Sequence, residues 1–442
     1  MINNNIITFI IFALVIIFLY HVTCNSLKKY ILLAGNALFY VSIAANWEVI
    51  IIFSCEIIFS YYMALLLARY RNKIFLTLAI IPVVLTLAFT KYNFIASGLF
   101  HEHTLKLIIP AGISFYTLKI IIFYMEIYNG KIKPVPLIDY INYISMFTQI
   151  LSGPVMRINE FTQDLTRLEF NYISAKSGVF LILAGLFKKL CVANMITSYV
   201  NSIHGNISGV PGLSLWLAAF LYAIEIYADF SGWSDISNGL MKILGFRETR
   251  NFYAPYFSSK IKEFWTRWHI SFSSWLRDYI YIPLGGSRCS NLRKFINVII
   301  TFLVSGIWHG SGINFLLWGI SHGLCVYFIS RKNKFLTFII VILLWVPFRA
   351  INFNAAINYY SCMITNFDIS LSAITNTILI FTGDNTCAVY AVILFAEIFI
   401  LFLYDLALTR EKNFSGIFTF IFAVMIILFG RVGESAFIYA QF

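Results

Sequence analysis

"TFLVSGIWHGSGINFLLWGISHG", residues 301–323, is apolar enough to lie in a bilayer, yet it holds His309 and His322 among five glycines. A titratable side chain at membrane depth belongs against protein or a wet cavity, not against lipid. Gly306, Gly310 and Gly312 around His309 allow another backbone or a ligand to come close. Arg288, Arg293 and Lys294 precede the stretch and Arg331 follows it, so both ends face the basic, cytoplasmic side. Between them run two apolar arms of about 14 residues, each rising only about 21 Å against a hydrocarbon core of about 30 Å. The expectation is a broken hairpin with His309 at its tip, inside the membrane. His322 stands 13 positions further on, which is not a same-face spacing on one continuous helix, and packing alone would account for it. A histidine hydrogen-bonded between helices is the competing structural reading for His309 too.

The surrounding chain has the same character. It has 442 residues, 60% of them hydrophobic and 12% charged, with a mean hydropathy of +0.80. A soluble domain carries about twice that charge fraction. Runs such as "IITFIIFALVIIFLY", "VILFAEIFILFLYDLAL" and "SGIFTFIFAVMIILFG" recur from end to end. The chain therefore reads as an all-α polytopic integral membrane protein, one domain over 1–442. "MINNN" places no positive charge before the first apolar run, so a cleaved signal peptide is not expected. The net charge of +12 is accounted for by basic cytoplasmic loops, and no nucleic-acid partner is inferred from it. Seven cysteines lack CxxC spacing, leaving open only a Cys362–Cys387 bridge in an external loop. His101 and His103 flank Glu102 without a supporting ligand cluster, so no metal site is expected.

Basic residues set the orientation. Lys28 and Lys29, then Arg69, Arg71 and Lys73, then Lys131 and Lys133 read as cytoplasmic, as do Arg331, Lys332, Lys334, Arg410 and Lys412. The N-terminus, the polar stretch 352–385 and the tail 431–442 then lie outside. Lys188, Lys189, Glu225, Asp229 and Asp235 interrupt apolar segments, which predicts re-entrant segments and a buried polar chamber. No internal repeat is visible, giving an inverted-repeat transporter little support.

Upstream of the hairpin runs "NFYAPYFSSKIKEFWTRWHISFSSWLRDYIYIPLGGSR", residues 251–288. Ile261, Phe264, Trp265, Trp268, Phe272, Trp275, Leu276 and Tyr279 recur on one helical face. Charged residues from Lys260 to Asp278 take the rest, which predicts an amphipathic helix at the membrane interface. His269 falls at the edge of the apolar face, and Pro283, Gly285 and Gly286 end the helix.

These stretches, together with "PAGISFYTLKIIIFYMEIYNG" (110–130), "LSGPVMRINEF" (151–161), "YADFSGWSDISNGLMKILGF" (227–246), "SGIWHG" (305–310) and the terminal "FIYAQF" (437–442), resemble the membrane-bound O-acyltransferases. The likeness is to the bacterial branch that acetylates alginate and peptidoglycan. It implies a helical funnel around a channel, with His309 as the family histidine and His269 at the partner position, where the family has His or Asn. His322 matches a further histidine of this branch. The resemblance also implies an acyl donor, acetyl-coenzyme A, drawn from the cytoplasm. Lys260, Lys262, Arg288 and Arg293 are candidates for its phosphates, although topology explains them equally well. Transfer from a thioester to a hydroxyl needs a base, and a buried histidine stays neutral enough to serve. His309 is that candidate base, while His269 would orient the donor or meet the developing oxyanion.

An F-x-Y-x-x-F ending, here Phe437, Tyr439 and Phe442, resembles an acyl-shuttle signature, although Ala440 replaces a common second aromatic. A phenyl ester would pass its acyl group downhill to a sugar hydroxyl, because a phenol has a pKa near 10. The expected protein is thus a multi-pass enzyme of a bacterial cytoplasmic (inner) membrane with its C-terminus outside. It would work with an extracytoplasmic SGNH-type transferase on an envelope polysaccharide, since the chain itself has no Gly-x-Ser-x-Gly motif. A transporter or flippase that moves an acyl donor without chemistry remains the alternative, and a scaffold that recruits the outer enzyme is a third reading.

Overall fold

A computed structural model describes residues 6–99, 110–167, 170–382, 388–410 and 415–432. Helices make up the secondary structure throughout, with no strand among the described residues. Six are long and apolar enough to cross a membrane: Trp47–Tyr70, Lys73–Lys91, Tyr172–Gly205, Gly212–Ile243, Asn291–His309 and Val389–Thr409. Large apolar side chains stand outward on several helices, among them Phe18, Ile74, Val392, Phe420 and Ile427. Water would not tolerate such a surface over so much of a protein, and lipid does. The expected all-α polytopic membrane protein is what the chain forms.

The helices gather into two units, Met1–Ile182 with Ser234–Thr249, and Leu183–Trp233 with Arg250–Phe442. In the first, several helix ends and buried polar groups find partners within the unit. Asn46 caps Trp47–Tyr70 by accepting from the Val49 N–H at 3.3 Å. Asn36 donates to Asn142 at 3.0 Å and accepts from the Phe147 N–H at 2.8 Å. The buried Lys119 ammonium donates to the Tyr143 carbonyl at 2.8 Å and to Gln149 at 3.0 Å. Arg247 grips Asp164 in a two-pronged contact, donating through Nη2 at 2.8 Å and Nε at 2.9 Å.

The second unit holds every candidate residue the structure describes. The run Tyr172–Gly205 does not break at Lys188 and Lys189 as the sequence suggested. It widens to a π-helical turn over Phe187–Ala193, and both lysines are buried. Lys189 pairs with Asp229 at 2.6 Å, and Lys188 sits over the rings of Tyr404 and Tyr227 at 5.2 and 5.7 Å. Tyr227 donates to Asp405 at 2.8 Å, and Thr197 donates to Glu225 at 2.7 Å. The extra residue of a π turn turns the lysines inward, where partners offset the cost of burying charge. Just before the tail, the Arg431 N–H donates to the Leu190 carbonyl at 3.1 Å, and Asn194 donates to the Arg431 carbonyl at 2.7 Å. The last described turn of chain is thereby fastened to the π turn.

The hairpin of the opening stretch forms from Asn291–His309 and Ile313–Phe328. Its arms are 19 and 16 residues long, about 28 and 24 Å, so they are longer than the sequence suggested. The first ends at His309, as expected. Glycines draw the arms together: a Cβ on Gly306 would press into the Phe315 carbonyl oxygen, and one on Gly319 into that of Phe302. Small residues at such a crossing let backbones touch where lipid offers no hydrophobic driving force. Asn314 then donates to the carbonyls of Pro347 and Ala350 at 3.0 and 2.9 Å, closing the end of the helix Lys334–Arg349.

Candidate active site

His309 ends its helix 3% exposed, walled by aromatic rings. Its imidazole lies 4.8 Å from Trp308, 5.1 Å from Trp318, 5.2 Å from Phe348 and 5.7 Å from Phe272, ring centre to ring centre. His269 is 1% exposed and shares two of those neighbours, with Phe272 at 5.0 Å and Trp308 at 6.1 Å. Phe272 and Trp308 themselves stack at 4.3 Å. His322, fully buried, also lies against Trp318, at 5.0 Å. Its Nδ1 accepts from the Trp265 indole at 3.3 Å. The structure therefore brings the three sequence-selected histidines into one aromatic nest. The turn at Gly310–Gly312 lets His309 and His322 meet the same tryptophan despite their spacing.

The predicted single amphipathic helix is divided. One helix covers Ile261–Arg267 and a second Ile270–Leu276, followed by a π turn over Arg277–Tyr281. Between them His269 adopts the left-handed region at φ 45°, which costs a residue with a Cβ roughly 1–2 kcal/mol. Side-chain periodicity does not register a single strained residue. The aromatic face from Ile261 to Leu276 is present as expected, and it packs within the protein.

The bend is held from outside the helix. Asn251 accepts the Ile270 N–H on its backbone carbonyl at 2.8 Å. Its side-chain Oδ1 accepts from the Ser271 N–H at 3.2 Å and the Ser271 hydroxyl at 2.8 Å, and lies 3.1 Å from His269 Nδ1. The open N-terminal N–H groups of Ile270–Leu276 are thus capped by a residue from another part of the chain. His269 lies outside the six spanning helices, and burial pushes its imidazole from the ordinary 6.5 down to about 3. It is neutral at physiological pH.

Because Trp265 only donates, Nδ1 of His322 is an acceptor and Nε2 carries the proton. That N–H and the Trp318 indole N–H are buried donors without an acceptor among the described residues. The sequence shows Trp265 only as part of the apolar helical face, and neither Trp318 nor Asn251 stands out in it. Nothing in the motif separates Asn251 from a loop residue.

The basic candidates lie outside this nest. Lys262, Arg288 and Arg293 are exposed and Lys260 half-buried, with Arg293 donating to the Leu284 carbonyl at 3.3 Å. Tyr439, with Phe437 and Phe442, lies outside the described residues, as do His101, Glu102, His103 and Cys387. Cys362 is a buried free thiol. Among the described residues no three His, Cys, Asp or Glu side chains gather where they would hold a metal.

Residues 4–374 match the pattern of MBOAT, the membrane-bound O-acyltransferase family. The chain is 30% identical over 391 residues to the probable alginate O-acetylase AlgI of Pseudomonas aeruginosa, covering 82% of this chain and 74% of that protein. It is 30% identical over 369 residues to the peptidoglycan O-acetyltransferase of Helicobacter pylori, covering 72% and 70%. A teichoic acid D-alanyltransferase of Bacillus subtilis is 28% identical over 285 residues, covering 58% and 69%. The match spans both units and includes the segments that carry His269, His309 and His322, so this chain is an enzyme of the membrane-bound O-acyltransferase family.

Proposed function

We propose that the enzyme takes an acetyl group from cytoplasmic acetyl-coenzyme A and delivers it across a bacterial cytoplasmic membrane for O-acetylation of an envelope polysaccharide. The observation that carries this reading is the position of His309, at a helix end broken by glycine and buried in an aromatic nest with a second histidine. A hydroxyl oxygen attacks the thioester carbonyl while a ring nitrogen of His309 takes its proton. The tetrahedral intermediate collapses, the C–S bond breaks, and the thiolate leaves with that proton. The Trp318 and His322 N–H groups offer hydrogen bonds to the transient oxyanion, and His269 orients the donor. Lys260, Lys262 and Arg288 meet the phosphates of coenzyme A at the surface.

In this scheme the first acceptor is the phenol of Tyr439, in an external tail. The resulting phenyl ester hands its acetyl group to an SGNH-type partner and so to the polysaccharide. The acetyl assignment draws on the names of the alginate and peptidoglycan relatives, whose acceptors are both envelope polymers. Measuring acetate released by mild base from isolated envelope polymers tests the scheme, in cells carrying wild-type, His309→Ala or Tyr439→Phe protein. Loss of about 10²-fold or more is expected for His309→Ala, and loss for Tyr439→Phe with His309-dependent thioester cleavage retained. Full acetylation with a normally inserted His309→Ala protein would return the transporter reading.

A further inference from the structure

We infer that Asn251 is a positioning residue that fixes the ring of His269 in the Nδ1–H tautomer, leaving Nε2 as the ring's acceptor. The inference rests on donors and acceptors alone. Oδ1 of Asn251 is identified as oxygen because the Ser271 backbone N–H, which can only donate, points at it from 3.2 Å. The Ser271 hydroxyl donates to the same atom at 2.8 Å. An amide oxygen has no proton to give, so the His269 nitrogen 3.1 Å away is the donor in that contact. A neutral imidazole carries one N–H, and here it is spent on Asn251; the other nitrogen accepts.

The same residue holds the backbone in place. The Asn251 carbonyl takes the Ile270 N–H at 2.8 Å, and the Tyr253 N–H donates to the Arg267 carbonyl at 2.9 Å. These bonds flank His269 on both sides and keep it at φ 45°. Phe230 and Phe272 then close on the ring at 4.7 and 5.0 Å. Ring rotation would exchange the two nitrogens, and these contacts oppose it.

The consequence for the proposed transfer, on which this part depends, is a division of roles. A neutral His269 with its proton on Nδ1 cannot donate to an oxyanion through Nε2. At Nε2 the ring can only accept a hydrogen bond, and the oxyanion is left to other donors.

Nitrogen-15 spectra of histidine-labelled protein in nanodiscs test the tautomer directly, with the His269 signal assigned by its absence in His269→Gln. A protonated Nδ1 and bare Nε2 are expected in the wild type, and the opposite pattern overturns the inference whatever the enzyme does. Asn251→Asp keeps the acceptor for Ser271 and the cap, so it should fold. Its carboxylate should raise the acid limb of the acetyl-transfer rate by about one to three pH units, with wild-type heat stability. An unchanged limb in a folded, active Asn251→Asp protein would reduce Asn251 to a cap and overturn the positioning role. If no variant, wild type included, transfers acetyl from acetyl-coenzyme A, the proposed function fails and the spectra still decide the tautomer.

Discussion

The indole N–H of Trp265 points at Nδ1 of His322 across 3.3 Å, joining the segment before the hairpin to the hairpin's second arm. This one bond selects the His322 tautomer and leaves the proton on Nε2. Trp265→Phe keeps most of the packing and strands the buried acceptor, at a cost of about 1–3 kcal/mol. The expected result is a lower melting temperature and a fall in transfer rate of roughly tenfold, below the full loss of an oxyanion donor. His322→Gln should fall further in rate than Trp265→Phe. Rates for both variants, scaled to folded protein, would show His322 to be packing alone if they matched wild type.

Gly306 has no room for a side chain, because a Cβ there meets the Phe315 carbonyl oxygen. Gly306→Val should cost about 1–3 kcal/mol and move His309 with the helix end, lowering both thermal stability in detergent and transfer. Nothing lies within 4 Å of a Cβ added at Gly205, so Gly205→Ala serves as the control and should match wild type in both measurements.

His269 titrates at about 3 in the fold against 6.5 as the ordinary value. Above 6.5 the ring is neutral in folded and unfolded chains alike and contributes no pH dependence. As pH falls below 6.5 the unfolded chain binds the proton first, so stability declines until about pH 3. His269→Asn removes that proton site with a residue that tolerates left-handed backbone. Melting temperatures from pH 7 to pH 4 should fall less for the variant than for the wild type. Parallel curves would mean that His269 is not held neutral by burial.

Arg288 and Lys262 are exposed, where a contact to phosphate is screened and modest. Arg288→Ala combined with Lys262→Ala should raise KM for acetyl-coenzyme A roughly two- to fivefold at low salt while leaving kcat intact. The difference should shrink at high salt, and an unchanged KM at low salt would place the coenzyme elsewhere.

How much of this was legible in the sequence differs residue by residue. The hairpin tip at His309 could be read because glycines and a histidine in hydrocarbon break two rules at once. The polar burial around Lys188 and Lys189 was legible as an interruption, but the interruption is absorbed by one π turn, which composition does not register. The split at His269 was hidden because both half-helices keep the same aromatic face in phase. What divides them is a bend capped by Asn251, 18 residues upstream, and helical periodicity carries no information about such a contact. The relation of His322 to His309 depends on the fold of the hairpin, since the spacing along a straight helix separates them.

The fastening of Arg431 to Leu190 and Asn194 sets a length scale for whatever follows it. Tyr439 lies eight residues beyond that anchor, and eight residues of fully extended chain reach roughly 26–29 Å. A phenol on so short a leash stays confined to a small volume, where its local concentration is on the order of tens of millimolar. If Tyr439 carries the acetyl group, loading and delivery both have to take place inside a hemisphere of that radius. A partner enzyme would therefore have to come down to the membrane to collect it.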